Sequence, residues 1–120
     1  MPTDHPAPLA GEQGTALAEL IAERFRVLGD PTRIRLLDAL RDGSATVGEL
    51  HRAVGSSQQN VSKHLGVLLR SGLVRLDREG GFSRYAIADE SVFELCEQVC
   101  GGMRRQLAGL DEVLHGASLR

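Results

Sequence analysis

The sequence predicts a mainly α-helical domain that carries one small β-hairpin. Of the 120 residues, 42% are hydrophobic but only 3% are aromatic, so the core is aliphatic and suits packed helices better than a β-sandwich. Apolar residues recur at spacings of three and four through most of the chain, which is the helical period. One stretch near residue 80 alternates with a period of two, as strands do. This length is enough for one domain with one core.

The two ends of the chain are predicted to be tails. Residues 1–14 contain three of the four prolines and show no apolar period, so we expect them to be disordered. Residues 116–120 are expected to form a short C-terminal tail, which leaves a folded domain over residues 15–115.

The sequence also predicts where the protein is found. No apolar run approaches the ~20 residues of a membrane span, and the N-terminus lacks the basic and apolar regions of a secretory signal. Two cysteines are too few for a disulfide framework. We therefore expect a reduced, cytoplasmic protein that does not bind a membrane.

Two helices are predicted before residue 43. The first begins at Thr15 and ends at Gly29, and its apolar residues fall at a helical spacing: Leu17, Leu20, Ile21, Phe25 and Leu28. The second begins at Asp30-Pro31, because an N-cap acceptor precedes a proline at the first helical position, where its missing N–H costs nothing. Its inner face is expected to be lined by Ile34, Leu37 and Leu40.

A short third helix is predicted from a capping box. Thr46 and Glu49 have the spacing at which each side chain satisfies the other residue's backbone N–H. Leu50 and Val54 would lie on its buried side, and Gly55 would end it.

The fourth helix follows after a turn of only two residues. Ser57 is placed to cap it, and the helix runs to about Ser71. Its inward residues are expected to be Val61, Leu65, Leu68 and Leu69. Two helices this close in sequence, joined by a turn that contains glycine, predict a helix-turn-helix.

A β-hairpin is predicted next, because residues 73–78 and 82–87 alternate on either side of Gly80-Gly81. A last long helix then starts at Asp89 or Ser91. Its apolar residues form a seam of more than six turns: Val92, Cys96, Val99, Met103, Leu107, Leu110 and Leu114. A domain this small has too little protein to cover that seam, so we expect a homodimer through the terminal helices. The expected interface residues are Val92, Cys96, Val99, Met103, Leu107 and Leu110.

The charge distribution favours nucleic-acid binding although the net charge is −2. Residues 51–85 contain six Lys and Arg against two Asp and Glu, whereas the rest of the chain is acidic. A basic segment within an acidic chain is typical of a DNA-binding surface attached to a dimerisation body.

The outer side of the fourth helix holds the candidate DNA contacts: Ser57, Gln58, Gln59, Asn60, Ser62 and Lys63. Glutamine amides match the donor and acceptor of adenine, and Lys63 suits guanine or phosphate. Ser57 and Asn60 suit phosphates near the helix N-terminus. In the hairpin, Arg78 and Arg84 flank the tip and would contact the neighbouring groove or backbone. The alternative, a merely solvated polar face, is less favoured because this face lies in the only basic region.

The two histidines of this region are given structural interpretations. His64 lies at the edge of the buried face, so we expect it to pack between helices or to contact phosphate and not to bind a metal. His51 is expected at the surface.

Three segments of the sequence carry a family resemblance: Asp30-Pro-Thr-Arg-Ile-Arg-Leu-Leu37, Ser57-Gln-Gln-Asn-Val-Ser-Lys-His-Leu65 and the following Ser71-Gly-Leu-Val74. They closely resemble the ArsR/SmtB family of winged helix-turn-helix repressors. The resemblance covers residues 15–115. It implies a homodimeric repressor that binds double-stranded DNA at a palindromic operator with half-sites about one helical turn apart.

The inducer sites known in that family are missing from this sequence. Many relatives have Cys-Val-Cys on the third helix, where this chain has Thr46-Val47-Gly48. The zinc-type site of the last helix needs Asp-x-His and later histidines, but the sequence here reads Asp89-Glu90-Ser91 with no histidine until His115. Cysteines on the last helix, found in some arsenic-responsive and thiol-sensing relatives, are the variant that remains.

Cys96 and Cys100 are four residues apart on the last helix, which places their Cβ atoms ~5–6 Å apart. A disulfide needs a Cβ separation of ~3.8 Å, so a soft ion such as As(III) or Cd(II) fits the pair better. Two copies would supply four sulfurs. The alternative is that the thiols are simply small buried hydrophobic groups.

Two modes of control therefore follow from the sequence. The repressor is released from its operator when Cys96 and Cys100 bind a soft metal(loid) or are oxidised, or it has no thiol inducer site and is controlled by expression level or a protein partner. A protein-interaction module without DNA binding is a third alternative. An enzyme is the least favoured, because the sequence shows no glycine-rich phosphate loop, no metal-ligand cluster and no Ser/His/Asp set, and we expect no catalytic residues.

Overall fold

The structure, a computed structural model, describes residues 9–118. Within them the chain forms five helices and one antiparallel hairpin: α1 (Gly11–Leu28), α2 (Pro31–Ala39), α3 (Val47–Val54), α4 (Gln58–Arg70), β1 (Val74–Glu79), β2 (Phe82–Ile87) and α5 (Ser91–Ser118). The chain divides into two compact units, residues 1–88 and residues 89–120. None of the helices in the described range is both long and apolar enough to cross a membrane. The predicted class, mainly helical with a small hairpin, is confirmed.

The N-terminal helix begins earlier than the sequence predicts. α1 starts at Gly11, so residues 11–14 are helical and not part of a tail, contrary to the prediction; residues 1–8 lie outside the described range. Glu12 in the first turn is favoured by the positive end of the helix dipole. Gly14 is buried against the backbone of Leu9, where a Cβ would overlap the Leu9 carbonyl. That close approach explains the glycine that the sequence analysis assigned to a flexible segment.

The core of the first unit lies between α2, α3, α4 and β1, which pack on one another. Its fully buried side chains are all aliphatic: Leu36, Leu37, Leu40, Leu50, Val61, Leu65, Leu68, Leu73 and Val74. The predicted inner face of α3 is therefore confirmed, and that of α4 is confirmed except for Leu69, which is only half-buried.

The predicted inner face of α2 is partly wrong. Ile34 is 44% exposed, and Leu36 is fully buried in its place beside Leu37 and Leu40. At 100° per residue, the face formed by these three leucines is centred about 110° around the helix from Ile34. α3 and α4 pack on that face, so Ile34 points away from the core.

The helix-turn-helix is set by local hydrogen bonds. The Glu49 amide donates to the Thr46 hydroxyl at 3.1 Å, and the Thr46 amide donates to the Glu49 carboxylate at 2.9 Å, which confirms the capping box. Gly55 ends α3 with a left-handed backbone, φ +74°, which glycine adopts without strain. Ser57 caps α4 by accepting from the Asn60 amide at 3.1 Å.

The hairpin, called the wing from here on, is joined by the two-residue turn Gly80-Gly81. Both glycines have positive φ, +55° and +85°, which is the type I′ geometry that matches the twist of a two-residue hairpin. Ala45 in the loop before α3 pairs with Tyr85 through both backbone hydrogen bonds, at 2.9 and 2.8 Å. This pairing attaches the outer edge of the wing to the helix-turn-helix.

Two helices expose apolar faces. On α1, Leu17, Leu20, Ile21 and Phe25 are each 40–68% exposed. On α5, five residues are 53–68% exposed: Val99, Met103, Leu107, Leu110 and Val113.

The remaining residues predicted on the α5 seam differ in their exposure. Val92 is 3% exposed, unlike the rest of the predicted interface set, and Cys96 is half-buried. The side chain of Leu114 lies outside the described part of the chain. α5 also extends to Ser118, so residues 116–118 are helical, contrary to the predicted C-terminal tail, and residues 119–120 lie beyond the described range.

Candidate nucleic-acid interface

The first two turns of α4 present a polar face opposite the core. Gln58, Gln59, Ser62 and Lys63 are exposed there, while Val61 and Leu65 on the other side of the same helix are fully buried. We call these four exposed residues the α4 face. Within the described part of the chain none of their side chains makes a hydrogen bond or ion pair, so their donors and acceptors are available to a ligand.

Ser57 and Asn60, also predicted as DNA contacts, are engaged in the turn. The Ser57 hydroxyl accepts from the Asn60 amide, and the Asn60 side chain donates to the Ser56 hydroxyl at 2.6 Å. His51, expected at the surface, is half-buried with Nδ1 against the Ser56 carbonyl. These contacts hold the connection between α3 and α4 in one conformation.

Arg52 lies beside the α4 face and was not singled out by the sequence analysis. A Cβ on Gly48 would lie 3.6 Å from Arg52 Nη1 and 3.8 Å from Gln58 Nε2, so both side chains flank the same glycine. Arg52 is exposed. The sequence indicates Arg52 as a candidate only by its place in the basic segment of residues 51–85, because its proximity to Gln58 depends on how α3 packs on α4.

The two wing arginines lie on opposite faces of the hairpin. Arg78 pairs with Ser83, and Arg84 pairs with Asp77 in the next rung. Side chains of successive rungs point to opposite sides of a hairpin. A duplex lying against one face of the wing would therefore face only one of the two arginines.

Arg84 is bonded to the helix-turn-helix. Its guanidinium donates to the Ser44 hydroxyl at 3.0 Å, to the Ser44 carbonyl at 2.9 Å and to the Glu49 carboxylate at 3.3 Å. The Glu79 carboxylate lies 3.8 Å away. Arg78, in contrast, is exposed, and it has no such partner among residues 9–118.

The Glu49 carboxylate is stabilised in its charged form. The hydrogen bond from the Thr46 amide, aided by the charges of Arg84 and Arg52, outweighs partial desolvation and lowers the pKa of Glu49 below its usual value of 4.5. Glu49 thus joins the cap of α3 to the wing.

A buried polar cluster connects α2 to α4. His64 of α4 is 7% exposed, and its Nδ1 accepts from Arg33 Nε at 3.1 Å. Its Nε2 lies 4.0 Å from the Asp30 carboxylate, which caps α2 by accepting from the amides of Thr32 and Arg33 at 2.8 and 3.2 Å. Of the two interpretations drawn from sequence, the structure supports helix packing for His64.

The Asp30 carboxyl is held charged by the same cluster. Burial tends to raise the pKa of Asp30, but the amides of Arg33 and Thr32 and the positive charge of Arg33 outweigh burial and lower it. The N-cap of α2 therefore remains a carboxylate.

The two thiols of α5 are not joined by a disulfide, and Cys96 is half-buried whereas Cys100 is exposed. No three His, Cys, Asp or Glu side chains converge anywhere in the described range. Two sulfurs do not complete a tetrahedral soft-metal site. The described residues of one chain therefore do not fit such an ion by themselves.

Known proteins share this arrangement. A family model described as a helix-turn-helix domain matches residues 28–77, which include α2, α3 and α4. The HTH-type transcriptional regulator Rv0081 of Mycobacterium tuberculosis is 42% identical over 80 residues, covering 66% of this chain and 70% of the relative. The solution structure of a homodimeric winged helix-turn-helix DNA-binding domain of Mycobacterium bovis, from a possible ArsR-family regulator, has a TM-score of 0.72 at 30% identity, over 82% of this chain and 91% of that one.

The chain belongs to the ArsR/SmtB family of winged helix-turn-helix transcriptional regulators. The crystal structure of Rv0081 has a TM-score of 0.70 at 39% identity, over 77% of this chain and 93% of that one. A probable mercury resistance operon repressor of Streptomyces lividans is 38% identical over 92 residues, covering 72% of this chain and 74% of the relative. The resemblance drawn from sequence is confirmed. In this ArsR/SmtB regulator, α3 and α4 form the helix-turn-helix and β1–β2 the wing.

Proposed function

We propose that this ArsR/SmtB regulator is a homodimeric, cytoplasmic repressor that inserts α4 into the major groove of a palindromic operator. The α4 face carries the proposal, because four exposed polar side chains lie on a helix whose other side is fully buried. Gln58 and Gln59 would pair with adenine edges, and Lys63 with guanine or phosphate. Arg52 and Arg78 are exposed beside this face and on the wing, and they would contact phosphates.

The other predicted DNA contacts have a supporting role in this proposal. Ser57 and Asn60 hold the turn before α4, and the free backbone N–H groups at that helix end favour a phosphate. Arg84 orients the wing through Ser44 and Glu49 and does not itself contact DNA.

A second copy of the chain is the proposed occupant of the exposed apolar faces of α1 and α5. Contiguous apolar surface on a soluble protein marks an interaction site, and the Mycobacterium bovis relative is a homodimer by its description. A two-fold dimer would place two α4 helices about 34 Å apart, so that they enter successive major-groove turns on one face of the duplex.

The DNA-binding proposal is tested by selecting duplexes from a random library with the purified protein. We expect a palindrome to be enriched, and Gln58→Ala and Lys63→Ala each to weaken binding of the selected duplex by about tenfold, or about 1.4 kcal/mol. Arg26→Ala on α1 is the matched control, since it also removes one exposed positive charge. If no sequence is enriched, or if all variants bind like wild type, the proposal fails.

We propose that the protein is released from its operator when the thiol pair of α5 binds a soft metal(loid) or is oxidised. The exposure of Cys100, one turn from Cys96, supports this proposal. Because one chain supplies only two sulfurs, a shared site would need both copies, whereas oxidation would not. The test compares wild type with a Cys96→Ser/Cys100→Ser variant in operator binding with arsenite, cadmium or peroxide. Release of wild type alone supports thiol control. Equal responses favour the alternative, control by expression level or a protein partner.

A further inference from the structure

We propose that Arg33 and His64 are positioning residues of the recognition helix, and that a hydrogen-bonded chain running from the end of α1 through α2 fixes the orientation of α4. The inference rests on the proposed function, since it concerns how the α4 face is presented to DNA. Neither residue belongs to that face or reaches the DNA in this proposal.

Arg33 is the centre of the chain. Its Nη1 donates to the Val27 carbonyl in the last turn of α1 at 2.9 Å, and its Nε donates to His64 Nδ1 on α4 at 3.1 Å. A guanidinium is a rigid planar fork. Bonding through two of its nitrogens therefore fixes the position of the α4 ring relative to the α1 carbonyl.

The His64 end of this bond is buried, which limits its replacement by water. The ring is 7% exposed, and a buried polar atom that loses its partner incurs the full cost of desolvation. A rotation of α4 that moved His64 from Arg33 would leave Nδ1 unpaired in the core. The helix is rigid over two turns, so the direction of Lys63, the preceding residue, is fixed by the same bond.

The chemistry of the ring is also defined by its neighbours. Arg33 can only donate, so Nδ1 must be the acceptor and the ring proton is on Nε2. That nitrogen faces the Asp30 carboxylate at 4.0 Å. The ring is thus held between an arginine and an aspartate that both belong to the start of α2.

A second arginine connects the same two helices. Arg24 of α1 donates from Nη2 to the carbonyl of Ser71, the C-cap of α4, at 3.1 Å. α1 therefore bonds to the end of α4 directly and to its middle through Arg33. Because α1 also carries one of the exposed apolar faces, the orientation of the recognition helix follows the helix on which a second copy is proposed to pack.

The test uses three substitutions at His64 and the selected duplex from the library experiment. Asn places an acceptor near the position of Nδ1, Gln places one near Nε2, and Leu has none. We expect His64→Leu to weaken binding of the selected duplex by about tenfold, or about 1.4 kcal/mol, and to change binding of an unrelated duplex by about twofold or less, because phosphate contacts dominate non-specific binding. His64→Asn should recover most of the lost ratio, and His64→Gln should not.

Val61→Ala is the matched control, since it removes buried volume from the same helix and valine has no polar side-chain atom that could bond to Arg33. It should lower the melting temperature and leave the ratio of selected to unrelated binding unchanged. The inference is overturned if His64→Leu has the wild-type ratio of selected to unrelated binding, or if the Asn and Gln variants have equal ratios. If the Leu variant does not fold, the comparison between the Asn and Gln variants decides. If Gln58→Ala and Lys63→Ala also bind like wild type, the proposed function itself has failed.

Discussion

Arg84 of the wing donates to Glu49 of α3 at 3.3 Å, and this contact joins two elements that lie 35 residues apart in sequence. The same guanidinium makes two hydrogen bonds to Ser44. Glu49 at the same time completes the cap of α3. The wing is therefore attached to the helix-turn-helix by a side chain as well as by its backbone pairing, and the two wing arginines have different surroundings.

Substituting the two wing arginines separates stability from DNA binding. Arg84→Ala removes three hydrogen bonds and should lower the free energy of unfolding by about 1–2 kcal/mol, measured by urea denaturation. Arg78→Ala should leave unfolding unchanged and reduce the slope of log affinity against log salt by about 2, as expected when each copy of the proposed homodimer loses one phosphate contact. The reverse pattern would assign the DNA contact to Arg84.

Ser57 distinguishes a capping role from a direct phosphate contact. Ser57→Ala removes the cap of α4 and should destabilise the protein by about 1 kcal/mol. Ser57→Asp keeps an acceptor for the Asn60 amide, so its stability should stay near wild type, but its negative charge would face the phosphates. We expect Ser57→Asp to lose operator affinity in fluorescence anisotropy while it melts like wild type. Wild-type affinity in Ser57→Asp would place the start of α4 away from DNA.

Glu49 should contribute a pH-dependent part of the stability. Its pKa is lowered in the folded protein, so the stabilisation is complete above the unfolded-state pKa and is lost as the pH falls through the lower, folded-state pKa. Glu49→Gln cannot titrate. In urea denaturation at several pH values, the difference in unfolding free energy between wild type and Glu49→Gln should be largest near neutral pH and shrink below about pH 4.5. A constant difference would show that the charge of Glu49 is unimportant.

Acidic substitutions on the exposed apolar faces test the proposed dimer. Leu20→Glu and Leu107→Glu replace side chains that are 68% and 58% exposed, so the single chain should fold normally. A carboxylate buried at an interface is costly, and light scattering coupled to size exclusion should show monomers. Phe82→Glu at the tip of the wing is the control, since it adds the same charge at an exposed apolar site and should remain dimeric. Dimers in all three variants would exclude these faces as the interface.

The helix-turn-helix could be predicted from sequence because its signals are local. The capping box of Thr46 and Glu49, the left-handed Gly55 and the cap at Ser57 each depend on residues within three positions of one another. The Gly80-Gly81 turn is equally local. The second strand of the wing is the predicted one, and the first is shifted by one residue, from 73–78 to Val74–Glu79. Such signals act on the backbone before tertiary contacts form, so tertiary packing did not override them.

The roles of Arg84 and His64 could not be predicted, because their partners are distant in sequence. Arg84 bonds to Ser44, 40 residues earlier, and His64 bonds to Arg33, 31 residues earlier. No period or motif in the sequence specifies which distant acceptor a long guanidinium will reach. Ile34 was misplaced for a related reason, since the buried side of a short helix is decided by the helices packed against it.

The cap at Ser57 and the buried residues Val61 and Leu65 have a thermodynamic consequence for association with DNA. They fix the backbone of α4 when the chain folds. The conformational entropy of that backbone has therefore already been lost before any duplex is present. In the proposed complex, only the rotamers of a few exposed side chains, such as Gln58 and Lys63, are left to be ordered. More of the contact energy is thereby available for discriminating one base sequence from another.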